Sequence, residues 1–165
     1  LRVTDHAIPG STVIGEDGIP SQYVSGDWEW TVIEGGGNDV MAYCSEDDDD
    51  ECDEKLDEIM TNDNKGLMPD LINKAKDDGS KVIILGYYGI PEGSEFEGVV
   101  LQVEILNDRY NEFAEINDDV YFISLKDVMS PEETPDYYSE DLVHPSEEGH
   151  QAIGNHIADF ITNSG

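Results

Sequence analysis

Lys81-Val82-Ile83-Ile84-Leu85-Gly86-Tyr87-Tyr88 constrains this chain most. The run is continuous, β-branched and almost without polar interruption, the pattern of a strand covered on both faces rather than of a strand with one face in water. A strand of that kind belongs to a parallel sheet. Parallel strands need crossover connections, and the flanking sequence supplies them as helical patterns. Gly66 to Asp77 places Leu67, Leu71, Ile72 and Ala75 on one face, and Val99 to Ala114 repeats Val100, Val103, Leu106, Tyr110 and Phe113 at helical spacing. Asp27 to Glu34 reads as a further strand, its Val-Ile end next to glycines marking it as mostly buried rather than an edge, and Asp119 to Leu125 as the last strand. Ser146 to Ile161 reads as a closing helix with Ile153, Ile157, Phe160 and Ile161 turned inward and Ser146 as its cap. Ile19 to Val24 and Cys52 to Met60 are expected as short helices. Strand and helix alternate throughout, which specifies a three-layer α/β/α sandwich around a parallel sheet.

At 165 residues and 38% hydrophobic content the chain is read as a single domain, residues 1–165, able to bury a core. Charge narrows the partners. Eight basic against 39 acidic residues leave a net charge of -31. Such a field repels nucleic acid and anionic membrane surfaces, so neither is expected as a partner. It also suits a salt-loving source, where counter-ions screen the self-repulsion. No apolar run approaches the ~18 residues of a membrane span.

Three short blocks carry chemistry. Asp141-Leu142-Val143-His144-Pro145-Ser146 sets a carboxylate three residues before an imidazole at the mouth of the last helix. A carboxylate on one ring nitrogen fixes the tautomer of a general base and stabilises the imidazolium. Taken alone, the spacing is also that of a solvated loop histidine. Gly35-Gly36-Gly37-Asn38-Asp39 follows an apolar strand, where glycines allow close backbone approach and an Asn amide can face an oxyanion. Ile8-Pro9-Gly10-Ser11-Thr12 offers the Gly10 N-H as a second donor.

In order and spacing these blocks resemble those of the SGNH (GDSL-type) hydrolases, over essentially the whole chain. The resemblance implies a flavodoxin-like strand order, 2-1-3-4-5, and an ester hydrolase working through an acyl-enzyme. It assigns His144 as base, Asp141 as its orienting carboxylate, and Gly10 and Asn38 as oxyanion donors, with no metal and no organic cofactor. The substrate class it implies is a lipid, acetylated carbohydrate or other carboxylic ester.

One block of the pattern does not occur. The family's nucleophile lies in a Gly-Asp-Ser motif, and this chain contains none: Gly26-Asp27 runs into Trp28, and Ser11 and Ser146 stand at other positions. Leu1 to Thr4 reads as the tail of the family's second strand. The first strand, with the serine, is therefore expected upstream, about 30 residues for a βαβ unit, in cis or on a separate chain. The 165 residues alone are expected to be inactive. The alternative is a non-catalytic binding module on the same scaffold.

Cys44 and Cys52 bracket the acidic run Ser45 to Glu51. A local disulfide in a secreted or periplasmic protein is the reading preferred, against two unpaired surface thiols. The six carboxylates Glu46 to Glu51 lack the spacing of a calcium loop and read as a solvated loop. Tyr87 and Tyr88 stand at the carboxyl end of that buried strand, where ligands bind in open α/β sheets, and read either as walls of a substrate pocket or as packing residues. His150 and His156 have no partners at metal spacing and read as surface residues on the last helix.

Overall fold

The structure is a computed structural model that describes residues 2–45 and 50–164. It forms two compact units, one of Leu1–Val3, Tyr87–Gly98 and Ser124–Gly165, the other of Thr4–Gly86 and Val99–Ile123.

The second of these carries the sheet. Strands β1 (Trp30–Ile33), β2 (Lys81–Leu85) and β3 (Val120–Ile123) lie in the order β1-β2-β3, all parallel. Ile33 pairs with Ile84 and Leu85 with Ile123. As the continuous apolar run requires, Val82, Ile83 and Ile84 are fully buried. Helix α4 (Leu67–Asp77) packs on β2 and α5 (Val100–Glu115) on β3. The buried positions of these helices, Leu71, Ile72 and Ala75 in α4 and Val103, Leu106, Tyr110 and Phe113 in α5, are those marked by their spacing. Two shorter helices, α1 (Ile19–Gln22) and α3 (Asp50–Ile59), fall where the sequence puts them. Leu56, Ile59 and Cys52 turn into the core from α3.

Three features in the first part of the chain differ from the sequence reading. Of Leu1 to Thr4, Leu1 lies outside the described residues, and Arg2 to Thr4 form exposed coil, with Val3 82% exposed. A strand exists only where a neighbour completes its ladder, and β1 pairs with β2 alone. For the same reason β1 is an edge strand and not a buried one, leaving Val32 43% exposed. Last, Asn38 lies in a helix that the sequence reading does not include: α2 spans Gly37–Tyr43. Most of the acidic run, Glu46 to Asp49, lies outside the described residues.

The glycines before α2 are required by contact. Gly36 has φ +108°, and a Cβ there would stand 2.7 Å from Leu106 Cδ1. Tyr110, fully buried in α5, donates its hydroxyl proton to the Gly35 carbonyl at 2.9 Å. A side chain at Gly36 would collide with α5, and one at Gly35 with Ile19 and Val13.

The other unit is built from loops and one helix, α6 (Glu147–Asn163). Ser146 caps α6 by accepting from the Gly149 amide. Ile153, Ile157, Phe160 and Ile161, expected to face inward, are only half-buried, and Gly149 is the buried residue of the helix. His150 and His156 are exposed. No helix among the described residues is long and apolar enough to cross a membrane.

Candidate active site

In the loop-rich unit, Pro135 starts a single 3-10 turn, Pro135–Tyr137, and the chain then doubles back. Tyr138 and Pro145 form an antiparallel bridge, the Ser139 N-H donates to the His144 carbonyl at 2.9 Å, and the Leu142 N-H to the Ser139 carbonyl at 3.1 Å. Leu142 closes this turn at φ +58°, in the left-handed region that costs a non-glycine residue of order 1 kcal/mol.

What holds it there is Asp141. Its Oδ1 accepts from the Ser139 hydroxyl at 2.6 Å, the Val143 N-H at 2.8 Å and the His144 N-H at 2.9 Å. Its Oδ2 faces His144 Nδ1 at 2.8 Å. One carboxylate therefore shapes the loop with one oxygen and orients the imidazole with the other. The Ser139 hydroxyl foremost, then His144 and the loop amides, hold this carboxyl well below the usual carboxylate range. An acid that stays ionised keeps the proton of the neutral imidazole on Nδ1, so Nε2 presents a lone pair. That is the state a general base needs.

Tyr88 supports the loop from the side. Its hydroxyl donates to the Val143 carbonyl, and its ring meets Tyr138 edge-on, with centroids 5.9 Å apart. Tyr138 in turn donates to the Gly89 carbonyl at 2.7 Å, and burial pushes its hydroxyl pKa up to about 12. Tyr87 is half-buried in the same unit.

In the sheet-bearing unit, Asn38 occupies the first turn of α2, and its side-chain Nδ2 donates to the Ser11 carbonyl at 2.9 Å. Asn38 is thereby tied to the loop that carries Gly10. An amide nitrogen has two N-H groups, and this bond uses one of them. Gly10 adopts φ +78° and is exposed, and among the described residues its N-H has no protein acceptor. Asp39 fixes this arrangement. It is 1% exposed and accepts from the Val13 and Ile14 amides at 2.7 and 3.0 Å, stitching residues 13–14 to the start of α2. Burial, opposed by those N-H bonds, raises its pKa.

The structure thus joins Asp141 to His144, and Asn38 to the Gly10 loop. Sequence reasoning missed Asp39 as an anchor and Ser139 as the partner of Asp141. The Ser-x-Asp spacing is a local signal that could have pointed to Ser139. Asp39 contacts residues 26 and 25 positions away, and nothing local announces that. Cys44 and Cys52 form a disulfide, with Cα atoms 4.7 Å apart, that joins the C-cap of α2 to α3. No group of three or more His, Cys, Asp or Glu among the described residues is arranged to hold a metal ion.

Comparison with known proteins gives the same direction. Two solved structures share the fold. One is a Streptococcus pneumonia protein provisionally described as a platelet activating factor, 20% identical, TM-score 0.57, covering 80% of this chain and 59% of that one. The other is a provisionally assigned acylhydrolase from Bacteroides fragilis, 19% identical, TM-score 0.57, covering 82% of this chain and 62% of that one. The chain thus spans about three-fifths of the length of these structures. No curated protein sequence matches it. The model of the GDSL-like lipase/acylhydrolase family matches residues 1–152, nearly the whole chain. With its parallel α/β sheet and its Asp141-His144 turn, the chain belongs to the GDSL-like lipase/acylhydrolase family.

Proposed function

We propose that the protein is a serine ester hydrolase in which His144 is the general base and Asp141 its orienting carboxylate. The observation that carries this reading is the 2.8 Å contact between His144 Nδ1 and Asp141 Oδ2, made by a carboxylate held ionised. A serine hydroxyl attacks the ester carbonyl, forming the O-C bond and passing its proton to His144 Nε2. Collapse breaks the bond to the alcohol oxygen, which takes the proton back from the imidazolium. Water then repeats the sequence on the acyl-enzyme, releasing the acid and restoring serine. The Gly10 N-H and the Asn38 amide hold the oxyanion. The substrate is a carboxylic ester of a lipid, a carbohydrate or a small molecule.

No Gly-Asp-Ser occurs among the 165 residues, so in this reading the attacking serine comes from outside them. The same observation favours a second reading, a non-catalytic binding module. Hydrolysis of a p-nitrophenyl ester series and of acetylated polysaccharide by the full-length protein separates the two. Saturable turnover that falls ~10²–10³-fold in Asn38→Ala supports the enzyme; no turnover above buffer supports the module. The disulfide favours an oxidising compartment, and we place the protein outside the cytosol.

A further inference from the structure

Beside the Asp141-His144 turn lies a depression of about 210 Å³ lined by Pro91, Pro131, Pro135, Tyr138 and Leu142. Its walls are three rigid pyrrolidine rings, one aromatic ring and one isobutyl group. In a chain with 39 acidic residues, a lining with no ionisable carboxylate is a departure from the rest of the surface.

The walls are fixed in place. Gly89 donates its N-H to the Met129 carbonyl at 3.1 Å, and a Cβ on Gly89 would stand 2.7 Å from Pro131 Cδ. The Gly89 carbonyl accepts the Tyr138 hydroxyl. Tyr138 therefore spends its polar end on the backbone and presents only ring to the depression. Leu142 is held by the turn that Asp141 organises, two residues from the base. The same strained φ that closes the turn sets the direction of this side chain.

We propose that this depression is the leaving-group subsite, which takes the alcohol part of the ester, a short apolar alcohol, and so sets specificity. The inference rests on the hydrolase reading above, because it follows from the task of His144. The imidazolium must return its proton to the alcohol oxygen, so the alcohol lies on the imidazole side of the acyl carbon. The apolar depression carried by the turn that holds His144 is the one lined by Leu142. Size sets the class. Sites for drug-sized ligands start at roughly 300 Å³, so this one suits a short alkyl chain or a single ring rather than a sugar or a long lipid tail. A carbohydrate hydroxyl array would also find no polar partner on these walls.

The test uses primary alkyl acetates from ethyl to hexyl, whose leaving groups are nearly equal in basicity, with ethyl acetate to ethyl hexanoate as the acyl-side series. With the full-length protein, kcat/KM is expected to rise about two- to fourfold per alcohol methylene until the depression is filled. Leu142→Ala and Pro131→Ala flatten that rise, and Leu142→Phe moves the optimum to a shorter alcohol. All three leave the acyl-side profile parallel to wild type. Variants that reshape the acyl series, or leave the alcohol series unaltered, overturn the assignment. Titration of the chain with 1-butanol, read as methyl and ring NMR shifts of Leu142 and Tyr138, supplies a measurement free of catalysis. If no ester is cleaved, the hydrolase reading and the leaving-group role fail together, while the titration still decides whether the depression binds a short alcohol. Saturable shifts that are lost in Leu142→Phe and not produced by butyrate sustain it, and their absence refutes it.

Discussion

Asp141 divides its two carboxylate oxygens between two tasks: Oδ2 faces the ring of His144 at 2.8 Å, while Oδ1 gathers Ser139, Val143 and His144 backbone or hydroxyl donors within 2.9 Å. Orientation of the base and shape of the loop are consequently one property.

That coupling has a pH signature. The Asp141 carboxyl is depressed below its ordinary value of 3.8. For a depressed acid, the bonds of the ionised form are fully present above that ordinary value and are lost as pH falls through the lower folded value. The turn is expected to stay formed through the mildly acidic range and open only in stronger acid. Ser139→Ala removes the largest cause and shifts the opening to higher pH. Carbon-detected titration of the Asp141 carboxyl in the two proteins checks this; superimposable curves would show that Ser139 has no part in it.

Asp39 gives a stability prediction. Asp39→Ala strands the buried Val13 N-H and exposes that of Ile14 to a poorer partner, a loss of about 1–3 kcal/mol per unsatisfied group. Urea unfolding measures it. Because burial raises the Asp39 pKa, its contribution works in the opposite sense from that of Asp141. It is fully present below the ordinary value of 3.8 and diminishes as pH rises through the raised one. Asp39→Asn should remove this pH dependence while retaining one acceptor oxygen.

What could be read from the sequence follows the range of the interactions. Lys81–Leu85 was legible because a both-faces-buried strand writes itself as a continuous apolar run, and α5 because its core residues recur every three or four positions. The Asp141-His144 pair is a local contact, so spacing alone suggested it. Helix α2 was not legible, since it opens on Gly37 and is stabilised by Asp39 bonding to Val13 and Ile14 across the fold. Neither was the bond from Tyr88 to the Val143 carbonyl, 55 residues away. The edge position of β1 was misread because Val32 and Ile33 look alike in sequence, yet only Ile33 is buried.

The Cys44-Cys52 bridge closes a loop with a sequence separation of eight. Constraining the unfolded chain by a loop this short contributes about 2–3 kcal/mol. The Cys44→Ser, Cys52→Ser double variant is expected to unfold at correspondingly lower urea. An unchanged midpoint would mean that strain cancels the entropic gain.

Charge predicts a salt response. Arg109 engages Asp57 at 2.9 Å and the Met60 carbonyl at 2.6 Å, against a net charge of -31 for the chain. Raising salt from ~0.1 to ~1 M shortens the screening length from about 10 to about 3 Å and relieves self-repulsion. The melting temperature should climb over that range. A flat or falling curve would argue against adaptation to a salty environment.

The role of His144 is tested most directly by the rate of p-nitrophenyl acetate hydrolysis by the full-length protein and its His144→Ala variant. The base is required for attack and for release of the alcohol, so the variant is expected to lose about 10³-fold or more in kcat with its unfolding midpoint unchanged. A variant that folds normally and retains wild-type kcat would contradict the assignment of His144.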